Sequence, residues 1–128
     1  MNLDTIHKEL QNITKTPGIE ACALVVIETG MVLLNTSKDR DFEVIAEGSR
    51  DYWVLQHRNG HVFKPIGDVK IIFVFHKKRV ISVQACVGKT LLITLAETKG
   101  VDWNQWQKVI RPLMQKVKEF EEAKQPHS

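Results

Sequence analysis

Residues 69–96 read VKIIFVFHKKRVISVQACVGKTLLITLA, and this stretch decides the fold. It contains three runs of apolar, largely β-branched residues, at 69–75, 80–85 and 90–96, which are typical of β-strands. The links between the runs, His76-Lys77-Lys78 and Val87-Gly88-Lys89, have the length of hairpin loops. Because links this short join antiparallel neighbours, we predict a three-stranded antiparallel meander.

Two further strands are predicted before this meander. Residues 19–27 are apolar on both faces, which is typical of a strand inside a sheet that helices cover on both sides. Glu28-Thr29-Gly30 supplies a short turn with a glycine that can adopt positive φ, and residues 31–34 return as the next strand.

Helical periodicity predicts two helices in the first half of the chain. In residues 2–15 the apolar side chains recur at helical spacing, with Asn2 as the N-cap and Pro17-Gly18 ending the segment. Residues 41–56 form the second helix, which follows an aspartate-rich start and stops at Asn59-Gly60.

A last helix is predicted after Asp102. Asp102 and Gln105 form a capping-box signal, and the apolar positions that follow alternate at spacings of three and four. Pro112 lies inside this segment, and the apolar positions keep their phase across it. We therefore predict one helix that is kinked at the proline.

The element order α-β-β-α-β-β-β-α predicts an α/β (α+β) fold. Short links make the five-stranded sheet mainly antiparallel, and the helices cover both of its faces in a three-layer α/β/α sandwich. The 128 residues suffice for one domain. We assign residues 1–120 to that domain and residues 121–128 to a polar C-terminal tail.

The composition is that of a folded, water-soluble protein. Apolar residues make up 43% of the chain and charged residues 26%, and no apolar run approaches the ~20 residues that span a membrane. Met1-Asn2-Leu3-Asp4 has no signal-peptide pattern, and two cysteines are too few for a disulfide scaffold. We therefore expect a cytoplasmic protein that does not insert into membranes.

The formal net charge of +3 is unevenly distributed along the chain. Between residues 58 and 79 there are six basic residues, and Asp68 is the one acidic residue there. Such a stretch indicates either a surface for an acidic partner or a strand edge that lysine and arginine keep soluble.

No motif predicts a catalytic residue, a cofactor site or a metal site. Gly88-Lys89-Thr90 resembles the end of a phosphate-binding loop, but that loop needs a glycine where Val83 stands. It also needs to open a helix, whereas Leu91-Leu92-Ile93 indicates a strand. His57 and His61 lack a third local ligand and make a weak metal signal.

The cysteines and tryptophans are interpreted as core residues. Cys22 and Cys86 lie in apolar runs, where a free thiol usually serves as a small hydrophobic group. Trp53, Trp103 and Trp106 fall at helical core spacing, which favours packing over a stacking platform for nucleic-acid bases.

Two parts of the chain resemble the roadblock/LC7 family. Residues 16–25 (TPGIEACALV) and 29–33 (TGMVL) are similar to its opening turn, apolar strand and glycine-containing hairpin. Residues 70–75 (KIIFVF) and 87–96 (VGKTLLITLA), with the Lys77-Lys78 turn, are similar to its last three strands. The resemblance spans roughly residues 3–118, and the last helix is more similar to prokaryotic, MglB-like members than to the short dynein light chains.

The resemblance implies a non-enzymatic homodimer that binds a small Ras-like GTPase. Members of the family act on the nucleotide cycle of such a partner as activating proteins, exchange factors or scaffolds. They insert no arginine finger into the nucleotide site, so the resemblance assigns this chain no catalytic residue and no cofactor. The long link at residues 59–68 and Pro112 depart from the family pattern.

The strand at 69–75 is the predicted edge of the sheet. It is apolar on both faces and free of proline, so a soluble protein has to pair or cover it. Pairing with its own copy would also bring the helix at 41–56 against its copy, whereas covering by residues 59–68 is the alternative. The predicted dimer interface is Phe42, Ile45, Tyr52, Trp53, Ile71, Phe73 and Phe75. The predicted partner-binding residues are Lys70, Lys77, Lys78 and Arg79.

Two other functions stay open at this stage. A sensory module of related sandwich fold would hold a small ligand in a pocket between sheet and helix, lined by Tyr52, Trp53 or Cys86. A weak nucleic-acid binder would use the basic stretch, with an affinity that falls steeply with salt. The sequence favours both less than the GTPase-linked dimer.

Overall fold

The computed structural model describes residues 3–124, which form helices around one five-stranded sheet. The strand order is β2-β1-β5-β4-β3, every neighbouring pair is antiparallel, and the predicted fold is thereby confirmed. The predicted N-cap Asn2 lies outside the described residues, as do residues 125–128 of the predicted tail. The elements are α1 (Leu3–Thr14), β1 (Ile19–Val26), β2 (Val32–Asn35), α2 (Arg40–Arg58), a 3₁₀ turn (Lys64–Ile66), β3 (Ile71–Phe75), β4 (Arg79–Ala85), β5 (Thr90–Glu97), α3 (Trp103–Val109) and α4 (Arg111–Lys124).

Helices cover the sheet on both faces, so the molecule has three layers. Helices α1, α3 and α4 cover one face around a core that includes Leu10, Leu92 and Leu113. Helix α2 covers the other face, with Phe42 and Trp53 in the core. Burial of apolar area in these two cores is the main force that holds the layers together.

Strand β1 lies inside the sheet, as its composition predicted. Six of its eight residues are buried. Successive side chains of a strand point to opposite faces, so Cys22 and Leu24 enter the core under α1 while Ala23 and Val25 enter the core under α2. A strand with both faces covered favours apolar side chains, which explains the apolar run, and Glu20, the one charged residue of β1, is exposed.

Helix α2 begins and ends at residues that satisfy its free backbone groups. The Asp39 side chain accepts a hydrogen bond from the backbone N–H of Asp41 at 2.9 Å and caps the N-terminus. Asp41 and Glu43 lie in the first turn and Arg58 lies in the last, and at these positions their charges interact favourably with the helix dipole. These contacts fix α2 between β2 and the link that leads to β3.

The prediction of one kinked helix after Asp102 is wrong, because this segment forms two helices that meet at Ile110. Pro112 has no N–H to donate to the carbonyl of Lys108, and its ring clashes with that carbonyl, so the helical ladder stops there. The apolar phase nevertheless continues, since Ile110 and Leu113 are buried in the same core. Helix α4 reaches Lys124, so the predicted polar tail begins as helix.

Candidate interaction surface

Strand β3 ends the sheet, and one of its edges is unpaired within the described chain. Its whole length pairs with β4, from Ile71 opposite Gln84 to Phe75 opposite Val80. Phe75 exposes 68% of its surface, and Phe73 exposes 37% although its ring packs edge-on against Trp103 at 4.9 Å. The prediction that this strand forms the sheet edge is confirmed.

The link at residues 59–68 does not close that edge. All ten of its residues are exposed, and the backbone hydrogen bonds that its N–H groups donate end on residues 55–64. The link therefore folds on itself and on the end of α2, and it adds no strand beside β3. The open edge of β3 is thus a property of the single chain.

Helix α2 carries two apolar stripes, and only one of them faces the sheet. The buried stripe consists of Phe42, Ala46, Ser49 and Trp53. The outer stripe consists of Ile45, Gly48, Tyr52 and Leu55, whose large side chains are 36–56% exposed. Single exposed apolar side chains are ordinary, but a row at helical spacing indicates a second packing surface.

Gly48 at the middle of the outer stripe is a residue that sequence reasoning missed. A glycine inside a helix costs about 0.5–1 kcal/mol relative to alanine. A Cβ atom at Gly48 would have no neighbour within 4 Å, so nothing in the single chain requires its absence. A glycine here leaves room for another backbone to approach closely. An isolated glycine inside a helical pattern is the sequence feature that could have indicated this position.

A groove of about 440 Å³ lies beside the outer stripe. Tyr52 and Leu55 of α2, Val62 and Phe63 of the link, and Ile72 of β3 line most of it. The outer stripe and this groove therefore form one surface with apolar side chains, and it reaches the open edge of β3 at Ile72. Phe73 and Phe75 point to the opposite face of the sheet, where Phe73 packs against Trp103. We call the outer stripe and the groove the apolar surface.

The residues predicted for a dimer interface fall into two groups. Phe42 and Trp53 are 2% and 5% exposed, so they support α2 from the core and offer no surface to a partner. The other five are exposed or half-buried and lie on α2 and β3: Ile45, Tyr52, Ile71, Phe73 and Phe75. Adjacent residues such as Tyr52 and Trp53 point to different sides of the helix, and spacing alone did not separate them.

The four predicted partner-binding residues lie in two places. Lys77 and Lys78 are exposed in the turn after β3, and Arg79 follows them at the start of β4. Arg79 donates to Glu20 Oε1 at 2.7 Å, which neutralises part of this group. Lys70 precedes β3 and Lys77 follows it, so the two lie at opposite ends of this strand and the structure does not bring Lys70 to the turn.

Neither cysteine has the surroundings of a reactive thiol. Burial raises the pKa of Cys22 to about 11, while the hydroxyls of Thr14 and Thr94 act in the opposite direction. Burial also raises the pKa of Cys86. Both thiols are therefore protonated near neutral pH and behave as the small hydrophobic groups that the sequence predicted.

The remaining sequence candidates are dispersed over the molecule. His57 stacks near Trp53 with ring centroids 4.8 Å apart, and residues 3–124 contain no group of three His, Cys, Asp or Glu side chains placed for a metal ion. Thr90 begins strand β5 and opens no helix. Tyr52 lines the groove, whereas Trp53 and Cys86 lie in cores on opposite faces of the sheet, so these three share no pocket.

None of the helices within residues 3–124 combines the length and the hydropathy of a membrane-spanning segment.

A scan against protein-family models and a search of curated proteins found no match.

Solved structures match over nearly the whole chain. A roadblock/LC7 domain from Streptomyces avermitilis superposes with a TM-score of 0.76 at 21% identity, over 94% of this chain and 98% of that one. The fold is that of the roadblock/LC7 domains. MglB from Myxococcus xanthus matches with a TM-score of 0.73 at 13% identity over 96% of this chain and 99% of that one. MglC from Myxococcus xanthus matches with a TM-score of 0.56 at 15% identity over 90% and 98%. The fold that the sequence resemblance implied is confirmed.

Proposed function

We propose that this chain is a non-enzymatic regulatory scaffold of the roadblock/LC7 family, a homodimer that binds a small Ras-like GTPase and modulates its nucleotide cycle. The observations that carry this proposal are the open edge of β3 and the apolar surface of the groove and the outer stripe of α2, which reaches that edge at Ile72. Extended apolar surfaces on soluble proteins usually mark protein interfaces. The first occupant of this surface is a second copy of the chain.

The open edge of β3 supports pairing between two copies. Antiparallel pairing of β3 with its copy across a two-fold axis would satisfy the backbone groups that β4 leaves free. Phe73, the central residue of β3, would lie nearest to the axis. One sheet would then run through both subunits, and the β3 edge of each copy would be paired.

In this dimer we place the antiparallel crossing of the two α2 helices at Gly48, the middle of the outer stripe, where no side chain would keep the two backbones apart. In that arrangement the first half of one helix lies beside the end of the other. Residues 39–47, with four carboxylates and one arginine, would then lie beside residues 49–57 of the other helix, which carry one basic residue, Arg50, and one acidic residue, Asp51. The acidic start of α2 would therefore meet a segment without net charge.

The GTPase is the partner that the resemblance to the roadblock/LC7 family implies. In this proposal the exposed Lys77 and Lys78 contribute charge at the rim of the docking surface, and such charges mainly raise the association rate. Arg79 contributes less, because Glu20 already pairs with it. The chain supplies a binding surface, and the reacting groups belong to the GTPase.

Light scattering at micromolar concentration tests the dimer, whose expected mass is twice 14.7 kDa. Leu55→Asp in the outer stripe should give monomers. Met31→Asp is the matched control, because Met31 is 55% exposed where Leu55 is 56% exposed, and it lies in the turn before β2. Phe73→Pro removes a backbone donor from β3 and should give monomer or aggregate. An unmodified chain that is monomeric would refute the dimer.

Binding kinetics test the GTPase. The dimer captures its GTPase from native lysate, mass spectrometry identifies it, and association is then measured with that GTPase purified in its GDP and GTP-analogue states. Lys77→Glu with Lys78→Glu should slow association, whereas Lys108→Glu with Lys118→Glu changes the net charge equally on α3 and α4 and should not. Equal association rates for the two double variants would show that the turn after β3 is not part of the docking surface. Failure of every small GTPase to bind the dimer would refute the function.

A further inference from the structure

Strand β2 is the second edge of the sheet. It pairs with β1 on one side, and no strand within residues 3–124 lies on its other side. In the same part of the chain, no backbone group outside the sheet hydrogen-bonds to residues 32–35, although His7 Nε2 lies 3.3 Å from the Asn35 carbonyl oxygen. Because β2 and β3 end the sheet on opposite sides, the proposed pairing of β3 leaves β2 open. An open edge offers backbone donors and acceptors to an added strand.

Helix α1 places a polar groove at the end of this edge. The groove has a volume of about 540 Å³, and Thr36, the residue that follows β2, lines it together with α1. The Thr14 and Thr36 hydroxyls are 3.4 Å apart, so α1 lies directly beside the end of β2. We call this groove the α1 groove. Four of its residues recur along α1 at spacings of three and four, and we call them the α1 stripe: Lys8, Gln11, Asn12 and Lys15.

The α1 stripe is positively charged and its charge is not neutralised by the chain. Lys8 and Lys15 are both exposed, and neither forms an ion pair with another residue in the range 3–124. No carboxylate lines the α1 groove. The two lysines are seven residues apart, which corresponds to about 10.5 Å along a helix axis. They can therefore bind two separate acidic groups.

This charge disfavours a second copy of the chain on the β2 edge. Pairing of two β2 strands across a two-fold axis would put both α1 helices on the same face of the joined sheet, with their stripes facing each other. Two lysines from each copy would then meet, and no carboxylate of the α1 groove would compensate them. Lysines beside an edge strand discourage such self-pairing, whereas they attract an acidic chain.

We propose that β2 and the α1 stripe form a docking site for an extended segment of a partner protein that carries acidic side chains at alternate positions. The segment adds to the sheet beside β2, and its backbone uses the groups that β1 leaves free. Alternate side chains of a strand point to the same face and lie ~6.6 Å apart, so all the acidic side chains face the α1 stripe. The flexible lysine side chains accommodate the difference between this spacing and their own. The site depends neither on the proposed dimer nor on the proposed GTPase partner.

Fluorescence anisotropy with a labelled peptide tests this site. The probe is a seven-residue peptide that alternates valine and glutamate, and it should bind the full chain saturably. Lys8→Glu with Lys15→Glu should weaken binding roughly 2- to 30-fold, the factor that two exposed ion pairs represent. Lys108→Glu with Lys118→Glu is the matched control, because it changes the net charge equally at exposed positions outside the α1 groove and should leave binding unchanged. A probe with lysine in place of glutamate should instead prefer the variant with both changes in the α1 stripe.

Two N-methylated forms of the probe test the backbone pairing. Successive N–H groups of an extended peptide point to opposite edges, so methylation of the glutamate nitrogens and methylation of the valine nitrogens block different edges. One form should bind like the parent probe, and the other should lose binding. Equal binding of both forms would show a contact by charge alone and would overturn the proposal. A chain that does not bind the parent probe would also overturn it, and a mass that grows with concentration beyond that of a dimer would then assign the β2 edge to a second copy.

Discussion

Replacing Gly48 with alanine should change the stability of the single chain and the strength of the proposed dimer in opposite directions. Gly48 lies inside the 19-residue helix α2, and a Cβ atom there has no neighbour within 4 Å. Alanine in an exposed helix interior is more stable than glycine by about 0.5–1 kcal/mol. The free energy of unfolding of the dilute, monomeric chain should rise by roughly that amount.

In the dimer the same substitution adds two methyl groups where the helices approach most closely, because the two-fold axis brings both copies of Gly48 together. Extra methyl groups in a packed contact cost about 1–3 kcal/mol. A cost of this size raises the dissociation constant of the dimer roughly 5- to 150-fold. The single chain gains stability while the dimer loses it.

Two measurements separate these effects. Urea unfolding at high dilution, followed by tryptophan fluorescence, gives the stability of the single chain, and sedimentation over a dilution series gives the dissociation constant. Gln11→Ala on the exposed side of α1 is the control, since it also improves a helix but lies away from the outer stripe. An unchanged dissociation constant in Gly48→Ala would refute Gly48 as the crossing point. A lower free energy of unfolding of Gly48→Ala at high dilution would refute the interpretation that the single chain has room for a Cβ atom at this position.

The sheet could be predicted because its signals are local. The meander follows from three apolar runs and two short links, and the edge position of β3 follows from its having only β4 as a sequence neighbour. The interior position of β1 follows from apolar residues on both faces. Each of these inferences needs only the two-residue period of a strand and the length of a turn.

The side of α2 that faces the sheet could not be predicted, because two apolar stripes lie side by side on it. Ile45 and Ala46, like Tyr52 and Trp53, are neighbours in sequence, and a 3.6-residue period accommodates either choice. The sheet buries Ala46 and Trp53, so Ile45 and Tyr52 remain for a partner. Which of the two stripes is buried depends on how α2 packs on the sheet, and the sequence pattern does not distinguish the two.

The burial of Ser82 and Gln84 was also beyond sequence reasoning. These two residues alternate with apolar residues, a pattern that usually indicates the solvent side of a strand. The helices on that face cover them instead, and Gln84 donates from Nε2 to Gln107 of α3, the short helix that ends at Ile110 before Pro112. Because the sequence predicted one kinked helix there, it gave no reason to expect a separate short helix above β4.

Three further predictions concern the stability of the single chain. Leu113→Ala should lower the free energy of unfolding by about 2–5 kcal/mol in urea titrations, because Leu113 is fully buried, whereas Met31→Ala at the surface should have little effect. Asp102→Ala should lower it by about 0.5–2 kcal/mol, because the Asp102 carboxylate caps α3 by accepting from Asn104 and Gln105; Asp102→Ser keeps a cap and should restore most of the loss. The last prediction concerns pH. The Cys22 thiol has a pKa of about 11 in the folded chain and its ordinary pKa of 9.0 when unfolded, so above pH 9 the unfolded chain loses this proton first. The stabilisation is fully present below pH 9 and is lost as the pH rises to 11, which amounts to about 3 kcal/mol. The test is the difference from Cys22→Ala, whose stability should fall less steeply between these pH values. Equal slopes for the two proteins would contradict the assignment of this pH dependence to the buried thiol.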